Sequence, residues 1–325
     1  MATVTPVTLE YNTVYLIEDG GERVLIDTGP DYRGAFDAIL TALGGRLPDL
    51  VVATHAHSDH AGLGAAWQRR GVPVAIGAAD APLTKVPQFR DPGESAALQS
   101  WVAGAGAPAE VVSEVSAGLA RRQVAPALPA GEYPAAGSPA RWPTGLRFEP
   151  YEAGRVLQGD CSLPAGLRAW ACPGHTPGNL VVVHERDGWL FSGDQLLPEI
   201  TPTPAVQFLP PSWEVRFASL PAFLRSTERL AGGSFARCYP GHGAPFTQVA
   251  ALVESTMAQV ETRTEKVLDE LRTGGPATLF GLSERLYRRA VQRRFWQIAA
   301  TVQGHLDLLA ERGLVVATGG EYRTA

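Results

Sequence analysis

The sequence predicts a layered α/β protein whose last quarter is a mostly helical module. Three observations predict it. Strand-like and helix-like runs alternate over residues 1–77, short apolar runs end repeatedly in turns that carry His or Asp, and from about Gln248 the apolar spacing becomes helical up to Gly313.

Each element has a local reason. TVYLIED and RVLIDTG flank the turn Asp19-Gly20-Gly21, which reads as a hairpin. Asp31 to Leu43 reads as a helix with Phe36, Ile39, Leu40 and Leu43 on one face. LVVATH is a short buried strand, after which Ser58 or Asp59 is expected to cap a helix running to about Arg70. VPVAIG is a further strand. Residues 80–145 are rich in Ala, Gly and Pro, with helices expected over Ser95–Gly104 and Ala109–Arg122; Leu98, Trp101 and Val102 on the first face Val112, Val115 and Leu119 on the second. This insert reads either as a helical decoration of the core or as a lid over a site. Strand signals return in LRAWAC, NLVVVHE, GWLFSGD and FARCYPG. The expected organisation is a catalytic domain over 1–247 and a C-terminal domain over 248–325.

Composition narrows the function classes. A net charge of -5 argues against a protein that coats nucleic acid. No apolar run reaches about 18 residues, so no membrane span is expected. The N-terminus alternates like strands and has no charged stretch followed by an apolar signal segment. Cys161, Cys172 and Cys238 are odd in number and lack CxxC spacing, which fits a cytoplasmic location without a disulfide framework.

The chemistry concentrates in five motifs. THAHSDHAG carries His55, His57, Asp59 and His60; PGHTPG carries His175, FSGDQLL Asp194, YPGHG His242 and LIDTG Asp27. Each lies at the end of a strand-like run, so all can emerge at one edge of packed sheets. Five of the seven histidines fall in these motifs, which composition does not account for. Imidazoles and carboxylates crowd together at low cost only around a cation, and this donor set suits zinc, iron or manganese. His55 and His57, two apart in an extended turn, can point to one ion, and Asp59 and His60 to a neighbouring one. Seven ligands exceed a single tetrahedral metal with an open position and suit two ions about 3.5–4 Å apart, sharing a carboxylate and a water.

The set HxHxDH, GH, GD and GH, preceded by DTG, resembles the metallo-β-lactamase superfamily, in its glyoxalase II-like di-metal branch, over residues 10–245. The resemblance implies an αββα sandwich. It also implies that His55, His57 and His175 bind one metal, that Asp59, His60 and His242 bind the other, that Asp194 bridges them, and that Asp27 supports the ligands from behind. Zinc is the metal expected. Common di-zinc β-lactamases carry cysteine where this chain has Asp194, which argues against antibiotic hydrolysis. Flavodiiron proteins carry glutamate where this chain has His57. YPGHGAPFTQ and the near absence of lysine do not match the glutathione-binding features of glyoxalase II. Asn179 stands where many relatives carry another histidine and is not expected to be a ligand.

In the C-terminal module, helices are expected over Ala277–Leu286, Leu286–Trp296 and Ile298–Arg312, followed by two short strands around Gly319-Gly320. Together with SGDQLLPEITP this resembles the subgroup carrying a C-terminal winged helix, which includes endoribonuclease-like members and thioesterases of carrier-bound polyketides. The module has ten basic and nine acidic residues from Ala251 to Ala325, and its one cluster is Arg288, Arg289, Arg293 and Arg294. Phosphate binding concentrates positive charge, so nucleic acid is not the favoured partner.

The expected activity is hydrolysis of a thioester, ester or lactone by hydroxide bridging two metals, with Asp194 between the ions and Asp59 or a water protonating the leaving group. Phosphodiester or single-stranded RNA cleavage is the alternative, and an iron-dependent persulfide dioxygenase a further one. A regulator that binds DNA through the winged helix is a fourth reading. A small-molecule substrate is expected as partner, no membrane contact is expected, and self-association is left open.

Overall fold

The computed structural model describes residues 1–86, 91–123, 146–201, 206–288 and 290–325. The first sheet holds β1 (Thr3–Thr8), β2 (Thr13–Asp19), β3 (Glu22–Ile26), β4 (Leu50–Val52), β5 (Val74–Gly77) and β6 (Arg155–Leu157) in that order. β1 to β3 are antiparallel and β3 to β6 parallel. Between its strands lie α1 (Ala35–Ala42), α2 (Ser58–Ala61), α3 (Gly64–Arg69), α4 (Ala81–Lys85), α5 (Pro92–Gly104) and α6 (Ala109–Gln123). The second sheet uses β7 (Cys161–Ser162), β8 (Leu167–Ala171), β9 (Leu180–His184) and β10 (Trp189–Gly193). The pair β11 (Gln207–Phe208) and β12 (Arg216–Phe217) and helix α7 (Ser219–Ala231) follow, and β13 (Arg237–Pro240) completes the second sheet in the order β13-β10-β9-β8-β7.

The period-two alternation of these strands explains the layering. Tyr15, Ile17, Val24, Ile26 and Val52 point inward and meet Leu167, Leu180, Val182 and Phe191 of the second sheet. The alternate residues Val14, Leu16, Leu25 and Val51 point outward, onto Ile39 of α1 and Trp67 of α3. On the far side Val181, Val183 and Leu190 pack on Leu230 of α7 and on Val249 and Val253. The result is helix, sheet, sheet, helix: the expected αββα sandwich.

The remaining chain is α8 (Val249–Gly274), β14 (Ala277–Thr278), α9 (Leu279–Tyr287), α10 (Ala290–Glu311), β15 (Val315–Thr318) and β16 (Glu321–Thr324), with the strands paired β14-β16-β15. The hairpin around Gly319-Gly320 stands where the sequence put it. Residues 277–278 are strand rather than helix, and the break in α10 falls at Arg294 (φ -133°, ψ 34°) rather than near Trp296. Of the arginine cluster, Arg289 lies outside the described residues. His305 is buried against the Thr264 hydroxyl at 2.8 Å, and burial pushes its pKa down to about 4, so it is a core histidine.

Helix α5 packs on the C-terminal module. Val102 of α5, and Ala105 just past its end, are buried among Val267, Leu268, Phe280, Phe295, Ile298 and Val302, so this part of the insert completes the core of the C-terminal module. Residues 124–145, the rest of the predicted insert, lie outside the described residues. The helix expected from 58 to 70 is two helices. Leu63 turns its backbone N–H to Gly29 O and Thr28 Oγ1, both at 3.0 Å, which takes it out of a continuous helical ladder. Asp59 does not cap; the N-cap is His57, without a side-chain cap bond. No described helix is long and apolar enough to cross a membrane.

A partly buried ion pair ties the module to the sandwich. Arg216 of β12 makes two hydrogen bonds to Asp307 of α10, at 2.5 and 2.6 Å, and Gln303 Nε2 donates to the same carboxylate at 2.8 Å. Arg216→Ala is expected to destabilise the fold by about 1–2 kcal/mol, because it leaves the partly buried Asp307 without its cation. Chemical denaturation checks this, and an unchanged midpoint would show that the pair contributes nothing.

Candidate metal centre

The strand ends deliver the site. Parallel β3, β4 and β5 finish at one edge, where Asp27, the run His55–His60 and Asp80 follow them. β10 and β13 are parallel, so Asp194 and His242 leave at a common edge of the second sheet. β9 runs antiparallel to β10, so the turn that enters it, carrying His175, lies at that same edge. Backbone bonds stitch the two edges: Leu180 N–H donates to Thr54 O (2.8 Å), Thr13 N–H to Gly241 O (2.9 Å) and Tyr15 OH to Pro240 O (2.8 Å). Gly241 is required here, since a Cβ would lie 2.6 Å from His60 Cε1 and 3.0 Å from Asp194 Oδ1.

All seven sequence-predicted ligands are brought together, in two clusters: His55, His57, His175 and Asp194, and Asp59, His60 and His242. In the first, His57 Nδ1 lies 3.0 Å from both His55 Nε2 and His175 Nε2. In the second, His242 Nε2 lies 3.3 Å from His60 Nε2 and 3.3 Å from Asp59 Oδ2. Asp194 reaches both. Its Oδ2 is 3.4 Å from His175 Nε2, and its Oδ1 is 3.3 Å from His60 Nε2 and 3.4 Å from His242 Nε2. His55 and His60 are fully buried, whereas the His242 side chain keeps 32% of its exposure, so the centre opens to solvent on that side.

Asp27 fixes which nitrogens face inward. Its Oδ2 accepts from His60 Nδ1 at 2.7 Å, so Nε2 is the nitrogen that His60 turns to the cluster. Its Oδ1 accepts from the Thr54 hydroxyl at 2.9 Å, and that hydroxyl, its proton used, accepts from His55 Nδ1 at 3.0 Å. The His55 lone pair is therefore on Nε2, inside the cluster. Lone pairs that converge in this way repel unless a cation or a proton lies among them, and Asp194 Oδ1 is buried without a hydrogen-bond partner among the described residues. The donor set thus fits metal ions.

The titration of these groups follows their surroundings. Burial, aided by neighbouring imidazoles, pushes His55 well below 6.5, and burial brings His175 down to about 3, so both are neutral. Burial lowers His57 as well. For His60 burial is outweighed by Asp194, Asp27 and Asp59, which raise it well above 6.5. His242 is likewise pushed down by burial but up, to about 9, by Asp194 and Asp59. Burial would raise Asp59, yet His60 and the bond from His242 hold it at about 2. Asp194 sits well below the carboxylate range because His60, His242 and His175 overcome its burial.

Sequence reasoning missed Asp80. It is fully buried and accepts from Ala56 N (2.9 Å), Thr176 Oγ1 (2.7 Å) and Gly178 N (2.7 Å), clamping the His55–His57 loop to the His175 turn. Its signal was the one that flagged Asp27: an acidic residue just after an apolar strand. Gln207 was missed too; its Nε2 donates to His175 O at 3.1 Å. Asn179 is buried and donates to Cys172 O at 2.9 Å, closing the His175 turn instead of facing the cluster. Burial pushes Cys172 and Cys238 up to about 12, so neither is a nucleophile.

Two packed sheets with seven imidazole and carboxylate groups meeting at one edge define an α/β protein built around a metal-binding centre. Comparisons with known proteins specify it further. The sequence model of the Metallo-beta-lactamase superfamily matches residues 7–242. The "Probable metallo-hydrolase YqjP" of Bacillus subtilis is 28% identical over 316 residues, spanning 94% of this chain and 89% of its own. The atrochrysone carboxyl ACP thioesterase AgnL7 of Paecilomyces divaricatus is 26% identical over 271 residues, 82% of this chain and 62% of its own length. A metallo-beta-lactamase family protein from Thermus thermophilus superimposes with a TM-score of 0.71 at 24% identity, covering 100% of this chain and 98% of that one. The chain belongs to the metallo-beta-lactamase superfamily, as a metal-dependent hydrolase.

Asp80→Ala is expected to cost about 2–4 kcal/mol, since it strands three buried donors. It is also expected to weaken metal retention about 10–100-fold, as loss of outer-sphere partners does. Denaturation and chelator competition check the two effects separately, and wild-type behaviour in both would remove the clamp role. The metal-free protein is expected to be most stable near pH 6.5. Below that value the unfolded chain takes up protons that His175, held at about 3, refuses. Above it His242 keeps its proton up to about 9 while the unfolded chain has lost it, so that stabilisation fades as pH rises through about 9. Thermal melts across pH, with and without metal, test this; a melting temperature that stays flat from 6.5 to 9 in chelator would overturn it.

Proposed function

We propose that this centre holds two divalent ions and hydrolyses a carboxylic derivative: a thioester, ester or lactone. His55, His57 and His175 would hold one ion and Asp59, His60 and His242 the other. The observation that carries the reading is the division of Asp194, whose Oδ2 faces the first histidine cluster and whose Oδ1 faces the second. Ions held there supply a water acidic enough to attack near neutral pH, and positive charge for the carbonyl oxygen as it turns negative. Overall, a C–O bond forms from water, the bond to the sulfur or oxygen of the leaving group breaks, and one proton of the water ends on that group.

The chain's own residues prepare this. Asp27 and Thr54 hold the His55 and His60 lone pairs inward, and Asp80 fixes the loops that carry His57 and His175. Asp59, held ionised, is a poor proton donor, which leaves solvent to protonate the leaving group. The imidazole and carboxylate donors suit zinc and are equally compatible with iron or manganese. A carboxylate at position 194 supports the glyoxalase II-like branch, and a long helix, two further helices and a small three-stranded sheet support a winged helix at the C-terminus. The likeness to a carrier-protein thioesterase supports the thioester reading. Three free cysteines fit a reducing compartment such as the cytoplasm.

Metal analysis of the purified protein is expected to give two equivalents per chain, falling sharply in Asp194→Ala. The metal-loaded protein is expected to turn over members of a thioester, ester and lactone panel and to lose that activity in chelator. Cleavage of phosphodiesters or short RNA with no carboxylic turnover would assign the centre to the alternative chemistry. A single retained ion would end the di-metal reading.

A further inference from the structure

The hairpin β11–β12 belongs to neither sheet of the sandwich and lies between the centre and the C-terminal module. Gln207 pairs with Phe217 and Phe208 with Arg216, and Leu209 N–H closes the ribbon on Val215 O at 2.8 Å. Arg216 is the residue whose guanidinium forks onto Asp307 of α10. Val206, at the entrance to β11, is buried with Leu98 of α5, Leu119 of α6 and Ala300 of α10. One side of the hairpin is therefore fastened to the module and the insert.

The other side holds the first ligand cluster. Gln207 is 4% exposed, and its Nε2 donates to His175 O at 3.1 Å. Ser219, two residues past β12, donates from Oγ to Gly174 O at 2.5 Å. Two consecutive carbonyls of the His175 turn thus accept from the two ends of the hairpin. Asp80 grips the same turn farther on, at Thr176 and Gly178, so the stretch that carries the ligand leans on the hairpin. Trp213, at the tip, joins the apolar cluster that holds Ala56, between His55 and His57. Its φ of 56° is strained for a bulky side chain, a state that persists only where the surroundings enforce it. Gly93 of α5 permits that packing, since a Cβ there would lie 2.5 Å from Trp213 Cδ1. Among the described residues the hairpin makes no hydrogen bond to the stretches that carry Asp59, His60 and His242.

We infer that this hairpin is a strap through which the C-terminal module positions His175, so that retention of the first ion, and not of the second, depends on a module that supplies no ligand. Gln207 and Ser219 are positioning residues, and Arg216 acts through them. Metal–ligand distances tolerate only about 0.2 Å, so slack in this turn is felt at His175 Nε2 as weaker binding. The inference rests on the proposed division of the ligands between two ions and is independent of the reaction they catalyse.

The test removes zinc stepwise from the loaded full-length protein with a chelator, while the imidazole nitrogen resonances report which cluster empties. In Arg216→Ala and in Gln207→Leu, zinc is expected to leave His55, His57 and His175 about tenfold more readily, with retention at His60 and His242 unchanged. Asp307→Asn, a milder cut at the same contact, should show the same selective loss even if Arg216→Ala does not fold. Arg216→Lys, which keeps the cation, should recover most of the retention. Arg312→Ala breaks an exposed pair with Glu261 inside the module and should leave both clusters as they are. In the double variant Arg216→Ala with Gln207→Leu, the loss should be less than the product of the single effects, because both act through one hairpin. Equal loss from the two clusters, no loss in Asp307→Asn, or full multiplication in the double variant would overturn the strap. A wild type that takes no ion into the first cluster overturns it together with the di-metal reading. One that holds that ion alone, or hydrolyses nothing, fails the functional reading only, and the strap is still judged on how that ion is retained.

Discussion

Imidazoles crowded nitrogen to nitrogen set the terms for the rest of this molecule. His55 Nε2 and His175 Nε2 each stand 3.0 Å from His57 Nδ1, in surroundings that keep the rings uncharged. One proton on His57 Nδ1 cannot satisfy both contacts, so the restraint has to come from behind as well. Asp27 supplies it through one direct bond and one relayed by Thr54, and Asp80 supplies it by gripping two loops at once. The protein stores unfavourable proximity in one place and balances it with ordinary hydrogen bonds in a surrounding layer, which is how preorganised sites are generally made.

The sandwich makes that layer possible. Seven ligands from four stretches of chain can meet only if their carriers end in register, and the run of parallel strands β3, β4 and β5 does this on one sheet while β10 and β13 do it on the other. The few backbone bonds across the seam, such as Leu180 to Thr54 and Thr13 to Gly241, then fix the two edges against one another. An asymmetry of exposure results. The buried side of the centre is made of strand ends and their supports, whereas the accessible side, near His242, is bounded by turns that can vary without disturbing the metal ligands.

What could be read from the chain before folding follows a physical line. Ligand residues were legible because their types are costly anywhere else and their spacing within THAHSDHAG is short. The hairpin at Asp19-Gly20-Gly21 and the strand pair at Gly319-Gly320 were legible because turn residues are local. Asp80 was not, because its three partners lie 24, 96 and 98 residues away. The break between α2 and α3 was hidden for the same reason: Leu63 leaves the helix to bond a turn from β3. The face of α5 announced that it would be buried, but an apolar face does not name its partner. The structure gives it one more than 160 residues downstream.

That last contact bears on how the chain could have been assembled. Because Val102 and Ala105 fill the hollow formed by α8, α9 and α10, the C-terminal module borrows part of its interior from the middle of the sandwich sequence. The two halves are interlocked rather than strung in series. A recombination event that swapped the tail for a foreign one would leave α5 facing an ill-fitting surface, so the tail and the insert are bound to change together. On the ribosome, too, α5 emerges long before the helices that will shelter it, and must wait, apolar side outward, until α8, α9 and α10 have been made.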